Sequence, residues 1–136
     1  MRKTLTLTLL VLLFLSGCNL NNSNEVNNFD LKNRCATQAQ SFLQNERAND
    51  ITVNVINDQF AYNSTLNTCL VYFEVVEQGA GTTYNIFDLL TNKKLYTHVE
   101  YLDSNTQKWW DESCKESNGC FVKKEDFTAK FNNLFK

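Results

Sequence analysis

His98 is the one imidazole in a chain of 136 residues, and it is the first place to look for proton chemistry. An imidazole titrates near neutral pH and can serve as a general base or a metal ligand. Either role needs a positioned partner, and no serine, cysteine or acid is tied to His98 by a recognisable spacing. A half-buried strand histidine is the plainer reading. Glu74, Glu77, Asp88, Glu100 and Asp103 are the nearby carboxylates. Two acids flanking a glycosidic bond would suit glycan hydrolysis. In the strand register derived below, Glu74 faces Ile86, and Asp88 faces Tyr72 and Thr97. No two acids meet, and solvated strand positions account for them. Cys35, Cys69, Cys114 and Cys120 contain no close pair, so zinc-ligand and Cys-x-x-Cys redox spacings are absent. There is no P-loop, dinucleotide fingerprint, Gly-x-Ser-x-Gly elbow or zinc-protease motif. No catalytic or metal-ligating residue is assigned.

The most individual stretch is KWWDESCKESNGC, residues 108–120. Trp109, Trp110, Asp111 and Glu112 adjoin a short loop that a Cys114–Cys120 bond would close. Tryptophan is enriched in interface hot spots, and a closed loop costs less to order on contact. These four residues are the candidate partner-binding set. The competing role for the tryptophans is packing, as plugs between the sheet and the last helix.

The elements that would position these residues follow from hydrophobic period. DLKNRCATQAQSFLQNER, from Asp30, reads as a helix with Asp30 as N-cap and Leu31, Cys35, Ala39, Phe42 and Leu43 on one face. From Ile51 the period becomes two. TVNVINDQFAY, TCLVYFEVVE, TYNIFDLLT and KLYTHVEY are rich in Val, Ile, Tyr, Phe and Thr. Short Asn- and Gly-containing turns join them, which makes the neighbours antiparallel. The expectation is an α+β fold: a four-stranded antiparallel meander, an N-terminal helix disulfide-linked to the sheet, and a C-terminal amphipathic helix.

A turn centred on Ala80 sets Phe73 opposite Phe87 and Val71 opposite Leu89. A two-residue loop at Asn92 and Lys93 sets Leu90 opposite Leu95 and Phe87 opposite His98. One face then collects Cys69, Val71, Phe73, Val75, Phe87, Leu89 and Tyr96. The other holds Leu70, Tyr72, Val76, Tyr84, Ile86, Leu90, Leu95, Val99 and Tyr101, too apolar for open water. The last segment, with Phe127, Phe131, Leu134 and Phe135 at i, i+4, i+7, i+8, would cover it. Four cysteines allow three pairings. Cys35 and Cys69 share the helix–sheet core in this arrangement, so the expected pairs are Cys35–Cys69 and Cys114–Cys120.

The first residues are of another kind. Arg2 and Lys3 precede a leucine-rich run, residues 5–15, too short for an ordinary spanning helix and suited to a secretory signal peptide. It ends at Leu15-Ser16-Gly17-Cys18. This motif resembles the lipobox of bacterial lipoprotein precursors. The resemblance implies cleavage before Cys18, a diacylglyceryl group on its sulfur and, usually, a fatty acid such as palmitate on its amine. Two or three chains on one cysteine would hold a membrane stably, where one chain alone is marginal. Residue 19 is Asn rather than Asp, which in that family implies sorting to the outer membrane where the cell has one. The organisation expected is a signal peptide (1–17), a lipidated cysteine with an Asn-rich tether (18–29) and a single small domain (30–136). As a coil, ten tether residues would span on the order of 17 Å.

The net charge of −2 shows no basic block for nucleic acid or anionic lipid. The reading that results is a lipid-anchored cell-envelope protein, in the outer membrane of a Gram-negative bacterium and facing periplasm or surface. Its disulfide-stapled domain would bind an envelope protein, a wall component or an extracellular partner without catalysis. No cofactor is implied beyond the lipid on Cys18. The alternatives are a small cell-wall or glycan hydrolase and a structural subunit of an envelope assembly.

Overall fold

The structure, a computed structural model, describes residues 23–49 and 53–136. Residues 1–22, on which the expected signal peptide, lipobox motif and lipidated Cys18 fall, lie outside the described residues. The described residues fall into two compact units, divided between Asp30 and Leu31. Of the first, the described part is helical, with Asn28, Phe29 and Asp30 exposed.

The elements run α1 (Ser23–Asn49), β1 (Val53–Asn63), β2 (Thr68–Glu77), β3 (Gly81–Asp88), β4 (Lys93–Tyr101), α2 (Ser104–Cys114), β5 (Cys120–Phe121) and α3 (Lys124–Leu134). The strands form one sheet in the order β1-β2-β3-β4-β5. The first four pair antiparallel and β5 pairs parallel to β4. Among the described residues the sheet is therefore five-stranded and mixed, not a four-stranded meander, and there are three helices rather than two. A parallel neighbour needs a crossover, and α2 supplies it. Its start is written in the sequence: Asp103 caps it by accepting the Thr106 N–H at 2.7 Å. α1 begins at Ser23, so Asp30 is not its N-cap and residues 23–29 are helix rather than coil. Once a segment is nucleated by packing, each added residue gains a hydrogen bond at a small propensity cost.

α1 lies on one face of the sheet, where Ala39 and Leu43 pack with Val71 and Phe73. α3 covers the other, where Phe127 packs with Tyr72, Tyr84 and Ile86. Both cysteine pairs are at bonding distance. Cys35–Cys69 joins α1 to β2, and Cys114–Cys120 joins the end of α2 to β5.

The registers differ from those expected, with unequal consequences. Val71 pairs with Phe87 and Phe73 with Asn85. That is a slip of two, which leaves every β2 and β3 side chain on its expected face because the period is two. Between β3 and β4, Tyr84 pairs with His98 and Ile86 with Tyr96, and the register breaks after Ile86. This slip is odd. Tyr96 moves to the α3 cluster, and Val99, paired with Thr83, moves to the face of Phe73. Leu90 sits in the β3–β4 turn, 69% exposed.

Asparagine shares the left-handed positions with glycine. Among the described residues the non-glycine residues with positive φ are Asn57, Asn67 and Asn92, and Asn visits this region at lower cost than other side chains. Asn67 and Asn92 lie in turns. Asn57 lies inside β1, where the pairing with β2 is broken between Ile56 and Gln59. Such a bulge bends the strand and re-aims its side chains.

Candidate functional site

The β1 bulge and α3 enclose a cleft of about 700 Å³. Asn57 and Asp58 come from the bulge, Tyr72 and Glu74 from β2, Tyr84 from β3, and Lys124, Thr128 and Phe131 from α3. Tyr72 and Glu74 are two apart on one strand and so share a face. Lys124, Thr128 and Phe131 recur at i, i+4, i+7 and so share a flank of α3. Glu125 and Asp126 stand in the first turn of α3, where carboxylates favour the positive end of the helix dipole. Phe127, 2% exposed, fastens the helix among Tyr72, Tyr84 and Phe121. At the far end the Asn63 amide donates to the Leu134 carbonyl at 2.8 Å.

Two polar pairs stand at this space, Tyr72 with Glu74 on its lining and Tyr84 on its lining with Glu100 behind it. The Tyr72 hydroxyl donates to Glu74 Oε1 at 2.5 Å, and the Asn57 amide donates to Glu74 Oε2 at 3.1 Å. The Tyr84 hydroxyl donates to Glu100 Oε2 at 2.5 Å. Lys124 Nζ donates to the Tyr84 oxygen at 2.6 Å and to Glu100 at 3.0 Å, and stands 4.3 Å from the centre of the Tyr84 ring. Asp58 is paired with Arg47 of α1 at 2.5 Å.

The protonation states follow from these contacts. Burial, then the Glu74 carboxylate, pushes the Tyr72 phenol well above its ordinary value. Burial and Glu100 do the same to Tyr84, against a smaller opposing pull from Lys124. Lys124 is raised, first by its bond to Tyr84, then by Glu100, over the effect of burial. Burial pushes the Glu100 carboxyl up, but the Tyr84 and Lys124 bonds together outweigh it and hold Glu100 low. A catalytic lysine or tyrosine needs its pKa lowered toward neutrality, and a catalytic acid needs it raised. Every shift in this group runs the other way. These shifts follow from burial and from the hydrogen bonds and charges that join the four groups.

His98 stands behind the cleft, buried rather than half-buried at 3% exposed. It packs between Tyr84 and Phe127. Its Nδ1 is 2.8 Å from the Phe121 carbonyl. A carbonyl only accepts, so Nδ1 carries the proton. Nε2 has no hydrogen-bond partner among the described residues and is 3.8 Å from Glu100 Oε1. This histidine braces β4 against β5.

The other carboxylates have structural posts. Glu74 faces Tyr84 across the strands rather than Ile86, and Asp88 faces Leu70 and Lys93 rather than Tyr72 and Thr97. Asp88 accepts from the Thr68 hydroxyl and from the Leu90 and Thr91 amides. Burial raises its carboxyl, but these bonds prevail and hold it low. Asp103 caps α2, and Glu77 ends β2 in the open. Among the described residues no group of three or more His, Cys, Asp or Glu could hold a metal ion.

The candidate set on α2 is divided by the helix. Trp109 points outward, 63% exposed. Trp110 turns in against Tyr101, ring centres 6.3 Å apart. The Asp111 carboxylate accepts from Gln107 at 2.7 Å. Gln107 in turn clamps the end of β4, donating to the Val99 carbonyl and accepting from the Tyr101 amide. Glu112 is exposed. Trp110 and Asp111 thus fix α2 to the sheet, leaving Trp109 and Glu112 outside. The strand and helix patterns name Tyr72, Glu74, Tyr84, Phe127 and Phe131 but not as one site, because Asn57 and Lys124 reach Glu74 and Glu100 only through the tertiary fold. The sequence signal for them was the shared face of Tyr72 and Glu74 and the flank of α3 that carries Lys124.

Comparison with protein-family models, with curated proteins and with solved structures finds no match for this chain.

Proposed function

We propose that this protein is a lipid-anchored cell-envelope lipoprotein whose domain binds an envelope or extracellular partner without catalysis, through the cleft between the β1 bulge and α3. The observation that carries the binding reading is the cleft itself. It has aromatic walls and fixed hydrogen-bonding groups, the usual make-up of a recognition site. Its raised Tyr72, Tyr84 and Lys124 and lowered Glu100 favour binding over proton transfer. The anchor rests on the lipobox resemblance of Leu15-Ser16-Gly17-Cys18, and the outer-membrane address on Asn19. Two disulfides suit a compartment outside the reducing cytosol. The Cys35–Cys69 bond, linking helix to sheet, would keep the domain folded beside the bilayer.

The test is made in cells with the full chain. A photo-crosslinking residue replaces Thr128, which is exposed and lines the cleft. A second replaces Trp109 on α2. A discrete adduct from position 128 that is absent from position 109 supports the cleft. An adduct from position 109 alone returns the site to α2. Labelled palmitate on the wild type but not on Cys18→Ala supports the anchor, and label on neither removes it.

A further inference from the structure

The charges around the cleft do not balance, and the imbalance sits on one residue. Asp58 is neutralised by Arg47 and Glu100 by Lys124. Glu74 forms no ion pair among the described residues. Its two bonds come from neutral donors, the Tyr72 hydroxyl and the Asn57 amide, one on each oxygen. A carboxylate has about four acceptor positions, so each oxygen keeps one for an incoming donor. The neighbouring walls are aromatic: Tyr72 and Phe131 pack with ring centres 4.8 Å apart, and Tyr84 and Phe127 continue the surface. An aromatic face attracts a cation, and Lys124 already stands over Tyr84 in that way.

We propose that the cleft binds the guanidinium group of an arginine side chain on a partner protein, held by Glu74 and laid against the aromatic wall of Tyr72 and Phe131. The inference rests on the cleft being the binding site. A guanidinium suits it better than an ammonium because its planar fork can address both carboxylate oxygens at once and stack on a ring. An anion would meet the unpaired Glu74, since Lys124 is already engaged by Glu100 and Tyr84. A neutral ligand would leave the Glu74 charge uncancelled.

The experiment titrates the full oxidised protein with three capped tripeptides, Gly-Arg-Gly, Gly-Lys-Gly and Gly-citrulline-Gly, followed by amide chemical shifts. Citrulline keeps the shape of arginine and loses its charge. The expected result is saturable shifts at Tyr72, Phe127 and Thr128 with the arginine peptide, weakening as salt is raised. Citrulline should bind about tenfold more weakly or worse, as expected for loss of a charge-assisted pair. Glu74→Gln should abolish that discrimination. Phe131→Leu, which keeps the carboxylate, should weaken arginine and preserve it. Equal binding of arginine and citrulline overturns the proposal, as does an arginine affinity unchanged by Glu74→Gln in a protein with wild-type far-UV circular dichroism. A lysine peptide that binds as tightly as arginine overturns the guanidinium assignment. No cleft shifts at millimolar peptide overturn the ligand class. In that case a crosslinked adduct from position 128 would still support the cleft as a binding site, so the two failures are separable.

Discussion

Replacing Gly119 with alanine should unfasten β5 from β4, and Gly79 provides the control. Both glycines have left-handed backbones, φ +81° and +77°. An alanine there costs about 1–2 kcal/mol in local sterics, offset by about 0.4–1 kcal/mol from a stiffer unfolded chain. Gly79 has open space where a Cβ would go, so Gly79→Ala should lose about 1 kcal/mol. At Gly119 the new Cβ would strike the carbonyl oxygen of Leu95, a backbone atom of β4 that cannot swing aside. The two strands would have to separate. That strains the Thr97 amide bond to the Gly119 carbonyl, 2.9 Å, and the Thr97–Cys120 and His98–Phe121 pairings. Overpacking costs about 1–3 kcal/mol and a lost hydrogen bond about 0.5–1.5 kcal/mol. Gly119→Ala should therefore lose about 3 kcal/mol more than Gly79→Ala. Urea denaturation of the oxidised proteins, followed by tryptophan fluorescence with thiol content checked, measures the difference. A gap below about 0.5 kcal/mol, the usual scatter of an innocuous change, would refute the close approach of Gly119 to Leu95.

Three further outcomes are expected. The Cys35–Cys69 bond closes a separation of 34 residues and Cys114–Cys120 one of 6. On the chain-entropy argument, removing the first pair by double alanine substitution should cost about 1.5 kcal/mol more than removing the second, as read from urea midpoints. Asp88 and Glu100 have carboxyls held low, so their contribution is fully present above the unfolded carboxylate range of about 4. It is lost as pH falls through their lower folded values. Asp88→Asn and Glu100→Gln should each flatten the acid limb of a stability–pH profile while leaving its alkaline limb in place. Trp109→Ala should change stability by no more than about 0.5 kcal/mol. Trp110→Ala should lose about 2 kcal/mol, less than a fully buried tryptophan, and acrylamide should quench Trp109 preferentially.

The sequence by itself determined the kinds of element from α1 to β4 and in α3, though not α2 or β5, and the cysteine partners. Apolar period separates strand from helix locally, so β1 to β4, the body of α1 and the stripe of α3 were legible. Cys35 and Cys69 fell on apolar faces that had to meet, and both expected pairs stand at bonding distance. What the period could not supply was phase. A slip of two between β2 and β3 changed no face, whereas the odd slip between β3 and β4 moved Tyr96, His98 and Val99 across the sheet, because strand alternation registers only odd from even. Nor could it supply contacts between distant segments. The parallel β5 is two residues long, too short to have a period, and exists because α2 and the Cys114–Cys120 bond deliver it to β4. The cleft depends on one extra residue in β1 that turns Asn57 toward Glu74, and on a helix three elements beyond β4, α3, that brings Lys124 to Glu100. Those meetings are decided by packing across the sheet, which no local pattern records.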